Sequence, residues 1–183
     1  MIDIQTILTY LTLISVPVGV FYHIMTLRNT KKNQELQLET RQAQLLMQLY
    51  SQYNNKEFME DYANSAYLAE YEDLEDWTRK YGIYTNLPAY TAWARIGRYF
   101  DGAGILVKQG LIDMNLVSQL LREPVIYAWE NMRKWVYANR EAMRTPEVWA
   151  NFEYLYDEVR KRHPDTASYD EVPTWRVDQR LDE

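Results

Sequence analysis

The sequence predicts an all-α protein: one N-terminal transmembrane helix, then a cytoplasmic helical bundle of about five helices and a polar C-terminal tail. Three observations carry this. Apolar residues recur at three- and four-residue spacing through long stretches without turn signals. Only 6 Gly and 6 Pro occur in 183 residues, too few turn formers for many short strands. The run from Ile4 to Leu27 contains no Asp, Glu, Lys or Arg.

Residues 1–28 read as the anchor. At the helical rise, Ile4–Leu27 spans roughly 36 Å, enough to cross a hydrocarbon core with some tilt. Gln5, Thr6, Thr9, Thr12, Ser15 and His23 interrupt it. Thr and Ser can bond back to helix carbonyls, and Gln5 and His23 lie near the ends, close to water. Pro17 predicts a kink and Gly19 permits close approach of another helix. A cleaved signal peptide needs a basic start, whereas Asp3 precedes this run and Arg28, Lys31 and Lys32 follow it. That basic cluster sets the expected topology: a single pass through the cell membrane, N-terminus outside, C-terminal domain cytoplasmic. A chain without cysteine suits that side.

Residues 29–55 continue as a polar helix, either a linker or the first helix of the bundle. Leu36, Ala43 and Tyr50 recur every seven residues, so self-association into a homo-oligomer through residues 29–55 is one expectation. The stripe of Leu45, Leu46, Leu49 and Tyr50 is wider than a dimer seam and favours the bundle helix. Residues 56–163 form the bundle domain. Its first helix is expected over Glu57–Tyr81, with Phe58, Tyr62, Ala66, Ala69 and Leu74 inward and Gly82 as the stop. The next starts near Asn86-Leu87-Pro88 and runs to Gly110, burying Trp93, Ile96, Phe100, Ala103 and Val107. Asp113 caps a short helix and Pro124 opens another. Thr145-Pro146-Glu147 reads as the start of the last, which ends near His163-Pro164 with Arg160, Lys161 and Arg162 on its negative pole. Residues 164–183 form an acidic tail, expected to lack structure unless a partner holds it.

Several stretches carry a family likeness. They are Ile96-Gly97-Arg98-Tyr99-Phe100-Asp101, Gly104-Ile105-Leu106-Val107, Gly110-Leu111-Ile112-Asp113, Trp129-Glu130 and Arg140. With the N-terminal anchor they resemble a family of prokaryotic proteins described as a domain of unknown function, over roughly residues 4–145. The resemblance implies a membrane-anchored helical domain and brings no activity with it.

Composition excludes more than it assigns. The net charge is −6 and the pI about 5.1, which argues against a nucleic-acid partner. Without cysteine there is no disulfide, thiolate metal site or Cys nucleophile. His23 and His163 are the only histidines, too few for a di-iron bundle or a His-assisted serine. The run Glu70–Asp76 lacks the ligand alternation and central Gly of a calcium loop and reads as a solvated helix face. Gly97, Gly102 and Gly104 follow no strand, so they read as close-packing positions rather than a phosphate loop. No cofactor is expected.

Two residue groups remain as site candidates. Arg95, Arg98, Asp101, Glu130 and Arg140 suggest an ion-pair network or a pocket for an anionic ligand. The aromatic load, 16 Tyr and 6 Trp against 4 Phe, suggests an interaction surface. Trp149, Tyr169, Val172, Trp175 and Val177 are its candidate anchors. The expected function is a membrane-tethered, non-enzymatic interaction module, an accessory or scaffold subunit of a membrane-associated complex. Its partners are the lipid bilayer and another membrane or cytoplasmic protein. A single-pass signalling relay or small-ligand sensor is the alternative, and an enzyme of unrecognised type comes third.

Overall fold

The computed structural model describes residues 3–171, apart from the side chains of Ile7, Tyr10, Thr12, Ile14, Val16 and Asp170. The described elements are helical: α1 (Ile4–Tyr53), α2 (Lys56–Tyr62) passing into a π-helical turn (Ala63–Tyr67), α3 (Leu74–Tyr81), α4 (Leu87–Lys108), α5 (Met114–Met143) and α6 (Ala150–Arg162). A 3₁₀ turn over Tyr169–Glu171 ends the described chain. The chain divides into two units, Met1–Ala43 and Gln44–Glu183, so the boundary falls inside the stretch expected as one element over residues 29–55.

In the first unit the helix expected over Ile4–Leu27 is present and continues through the polar stretch after it. Among the described residues, however, no helix is long and apolar enough to cross a membrane. The expected membrane-spanning helix is corrected to that extent: the described residues of this run include Gln5, Thr6, Thr9, Ser15, His23 and Thr26, and Ile7, Ile14 and Val16 lie outside the described side chains. Thr9 and Thr26 donate back to the carbonyls of Gln5 and Tyr22, at 2.8 and 2.9 Å.

The second unit begins with the last turns of α1. Leu46 is buried, and Leu45, Leu49, Tyr50 and Tyr53 pack against the core, which agrees with a first bundle helix for this part. The Tyr99 hydroxyl of α4 donates to the Leu49 carbonyl at 2.8 Å. The single helix expected over Glu57–Tyr81 is broken. Phe58, Tyr62, Ala66 and Ala69 are buried as expected, but the chain leaves the helix after Tyr67. Asn131 of α5 takes over there, donating to the carbonyls of Ser65, Ala66 and Ala69 at 3.1–3.3 Å. Those carbonyls then need no further helical turn. The acidic run becomes a loop and a helix start: Asp73 caps α3 by accepting from the Asp76 amide at 2.8 Å. Gly82 ends α3 at φ −67, and a Cβ there would lie 2.2 Å from the Thr78 carbonyl oxygen.

Helix α4 is the centre of the bundle. Asn86 caps it, accepting from the Ala89 amide at 3.2 Å, and Trp93, Ile96, Phe100, Ala103 and Val107 are all buried, as their spacing predicts. Helix α6 crosses it at two glycines. A Cβ on Gly104 would meet the Asn151 carbonyl oxygen at 2.0 Å, and one on Gly97 would meet the Trp149 ring at 2.1 Å. Gly102 faces open space, so only two of the three glycines permit close packing. Asp113 caps α5, accepting from the Asn115 amide at 2.6 Å. The two helices expected on either side of Pro124 are joined across a kink at Leu121, φ −124.

The start of α6 differs most from expectation. Thr145-Pro146-Glu147 forms a turn, and the helix begins at Ala150 with Trp149 at φ 49 as its N-cap. Trp149 offers no side-chain cap bond, so Asp101 of α4 supplies it, accepting from the Asn151 and Phe152 amides at 2.9 and 3.1 Å. The left-handed conformation is unfavourable for a bulky residue and is sustained here by the ring wedged against Gly97 and Trp135.

The glycines give a paired prediction. Gly104→Ala loses about 1–3 kcal/mol, because the clash is with main chain. Gly102→Ala gains about 0.5–1 kcal/mol from helix propensity, because nothing obstructs it. Denaturant unfolding of the two variants checks this, and equal midpoints contradict the α4–α6 contact.

Candidate functional site

Of the five residues expected as one charged network, four serve separate joints and Arg98 serves none among the described residues. Arg95 pairs with Asp61 at 2.8 Å and Glu57 at 3.4 Å, and lies over the Phe58 ring. Asp101 caps α6. Arg140 holds Glu153 at 2.6 Å and the Val148 carbonyl at 2.8 Å, tying α5 to the turn before α6. Glu130 pairs with Arg160. Arg98 is exposed and has no ion pair among the described residues. Three or four residues between charges on one helix send them to different neighbours, so sequence proximity alone does not join them.

Two of the concave surfaces among the described residues bear on these side chains. One is a groove of about 690 Å³ between the end of α1 and the outer face of α4, open to solvent along its length. Leu49, Ala94, Tyr99, Gly102 and Ile105 floor it, with Gln52, Arg95 and Arg98 at its polar edge. Gly102 and Ala94 leave room along its floor, and an open groove suits an elongated occupant such as a helix better than an enclosed small molecule.

The second surface centres on Glu130, in a pocket of about 340 Å³ lined also by Glu70, Tyr71, Asn131, Lys134 and Tyr169. The Glu130 carboxylate accepts from the Arg160 guanidinium, the Tyr156 hydroxyl at 3.1 Å and the Tyr169 amide at 2.9 Å. Arg160 also donates to the Thr166 carbonyl at 2.5 Å and Ser168 Oγ at 2.9 Å. Residues 164–171 are therefore held to the bundle, which corrects the expectation of a tail unstructured from residue 164. Sequence reasoning placed Arg160 on the helix pole but missed its partner, 30 residues away.

The candidate interaction residues also change place. Trp149 packs on Trp135 at 5.0 Å between ring centroids and fills the space over Gly97, so it serves the core rather than an outer face. Tyr169 stacks on Tyr67 at 5.9 Å and donates its hydroxyl to the Tyr67 carbonyl at 2.6 Å. Val172, Trp175 and Val177 lie outside the described residues. Much of the aromatic excess turns inward. Trp77, Trp93 and Trp135 form a cluster of tilted and edge-to-face rings at 5.0–6.1 Å, and Trp129 packs on Phe152 at 5.0 Å. The Trp77, Trp93 and Trp135 indole N–H groups are buried and have no hydrogen-bond partner among the described residues. Tyr84, in contrast, is 99% exposed.

Burial shapes the ionisation of the tyrosines. Tyr53, Tyr62 and Tyr67 form a half-buried to buried cluster whose phenols are raised above their usual value, chiefly by desolvation. Tyr137, though 47% exposed, is pushed up to about 12 by partial desolvation of its hydroxyl and then by its hydrogen bond to Glu153. Each of these phenols stays protonated near neutral pH.

Asp76, expected on a solvated helix face, is buried. Its carboxyl is pulled down to about 2, first by the hydrogen bond from Lys80, then by the Glu72 amide and Arg79. A carboxyl lowered on folding stabilises above its unfolded value, near pH ~3.9, and loses that contribution as pH falls toward 2. The melting temperature of the parent chain therefore exceeds that of Asp76→Asn at neutral pH. The gap closes between about pH 4 and pH 2. A gap independent of pH excludes this pairing as its source.

The family described as a domain of unknown function, DUF4760, matches residues 3–159, and the chain belongs to it. The likeness read from residues 4–145 thus extends to most of α6. No curated protein and no solved structure matches the chain.

Proposed function

We propose that this member of the DUF4760 family is a membrane-tethered, non-enzymatic interaction module, an accessory or scaffold subunit of a membrane-associated complex. The observation that carries the reading is the state of α1 over Ile4–Leu27. Leu8, Leu11, Leu13, Val18, Val20, Phe21, Ile24 and Leu27 are all exposed, and at 100° per residue they surround the helix rather than form one stripe. A helix apolar on every side needs apolar surroundings that water does not supply.

Counted with Ile7, Ile14 and Val16, the run reaches the length of a bilayer core. The bonds of Thr9 and Thr26 to their own helix suit that medium, where each hydroxyl requires an internal acceptor. Arg28, Lys31 and Lys32 then hold their end in the cytoplasm, with the N-terminus outside. The α1–α4 groove is the docking face for a helix of a partner protein.

The membrane half is tested by alkaline carbonate extraction and by a reporter fused after Glu183. The chain stays in the membrane pellet, and the reporter behaves as cytoplasmic. Changing Arg28, Lys31 and Lys32 to Glu disturbs that orientation. Release of the intact chain by carbonate excludes the tether. The docking half is tested by photocrosslinkers at Thr91 and Ile105 of the groove, used in native membranes. A single crosslinked protein partner supports it, and crosslinks to lipid alone or to nothing exclude it.

A further inference from the structure

Residues Thr166–Tyr169 lie on α5, α6 and the π-helical turn as a bound peptide lies on its receptor. Both main-chain ends are recognised: the Thr166 carbonyl accepts from Arg160 at 2.5 Å, and the Tyr169 amide donates to Glu130 at 2.9 Å. The side chains are recognised as well. Ser168 Oγ sits between Arg160 at 2.9 Å and Glu130 at 3.4 Å. The Tyr169 ring lies between Tyr67 at 5.9 Å and Tyr127 at 6.2 Å, and its hydroxyl donates to the Tyr67 carbonyl.

The receiving surface stands without the segment. Glu130 keeps Arg160 and the Tyr156 hydroxyl, and Tyr67 keeps its contact with Tyr62 at 5.3 Å. Departure of the segment therefore strands no buried charge and exchanges its polar contacts and the packing of the Tyr169 ring for water. Beyond the Tyr169 ring the segment and its flanks add little apolar grip, since Pro164, Asp165, Ala167 and Glu171 are exposed. It joins α6 through the short His163–Thr166 turn, closed by a Thr166 amide to His163 carbonyl bond at 3.3 Å.

We infer that the Glu130–Tyr67 surface is a peptide-docking site filled in cis by Thr166–Tyr169, and that its partner in trans is the same segment of a second copy of this chain. The second copy follows from what the site recognises. Exchange between copies recreates every contact just described and alters only the hinge at His163-Pro164-Asp165, so its cost is low. This names a partner for the interaction module and rests on that reading, but the test needs no membrane.

Two full-length variants are prepared in detergent with different tags. Tyr169→Ala spoils the segment and leaves the site; Glu130→Gln spoils the site and leaves the segment. Mixing them yields a heterodimer by size-exclusion chromatography with light scattering, and neither variant alone gives the same species. A synthetic peptide of residues 164–171 competes with it and binds Tyr169→Ala about tenfold or more tightly than Glu130→Gln, as loss of a charged hydrogen-bond acceptor implies. If Glu130→Gln has lost its helical circular dichroism, Tyr127→Ala replaces it as the spoiled site. Equal peptide affinity for both variants overturns the docking site. Peptide binding without a heterodimer overturns the second copy as partner. Neither result bears on carbonate extraction, so this inference and the membrane reading fail separately.

Discussion

Phe100→Ala removes about 3–5 kcal/mol of stability, a large part of the ~5–15 kcal/mol that a domain of this kind possesses. Phe100 is fully buried on α4, stacked on Phe152 at 4.9 Å and edge-on to Tyr99 at 5.0 Å and Tyr62 at 6.3 Å. It therefore joins α2, α4 and α6, and its loss leaves a cavity that no single helix can close. The melting temperature falls by roughly 6–20 °C, at about 2–4 °C per kcal/mol for a chain of this length. Tyr84→Ala, at a site 99% exposed, changes stability by no more than about 0.5 kcal/mol and serves as the control. Equal melting of the two variants in far-ultraviolet circular dichroism contradicts the assignment of the α4 face.

Arg160→Met has the next largest effect, a loss of about 3 kcal/mol. The Glu130 side chain is 9% exposed and that of Arg160 is 20% exposed, so removing the guanidinium leaves a carboxylate with little water to solvate it. The Tyr156 hydroxyl and Tyr169 amide still donate to Glu130, which keeps the loss at the lower end for a broken buried pair. The double variant Arg160→Met with Glu130→Leu recovers most of the stability, because it strands no charge. Urea unfolding of the parent, single and double variants checks both statements. A double variant no more stable than Arg160→Met shows that the cost lies elsewhere than in the stranded carboxylate.

Local rules served the helices well and their joints poorly. Asn86, Asp113 and Gly82 were legible because a cap acts on amides two or three residues away, or on the last turn itself. The buried face of α4 was legible because a helix packed on one side must repeat its apolar residues at the helical period. The break after Tyr67 was not, because the group that ends the helix is Asn131, 62–66 residues away along the chain. The start of α6 was misplaced for the same reason. Thr145-Pro146-Glu147 is a sound local signal, but Trp149 fills the space over Gly97, and Asp101 caps the helix from 50 residues away.

The candidate site was legible only as an inventory. The sequence supplied Arg95, Arg98, Asp101, Glu130 and Arg140 as charges on aromatic helices; tertiary structure sent Arg95, Asp101, Glu130 and Arg140 to different neighbours and left Arg98 exposed. It likewise supplied the aromatic excess without its direction, and packing turned Trp149 inward. By itself, then, the sequence determined the helical class, most element limits, the inward face of α4 and the uncharged run over Ile4–Leu27. Only the tertiary structure decided where the second helix breaks, which charge meets which, and that residues 164–171 lie against Glu130. The physical reason is range: helical period and capping act within about four residues, whereas ion pairs, close glycine contacts and docked segments depend on where distant parts of the chain meet.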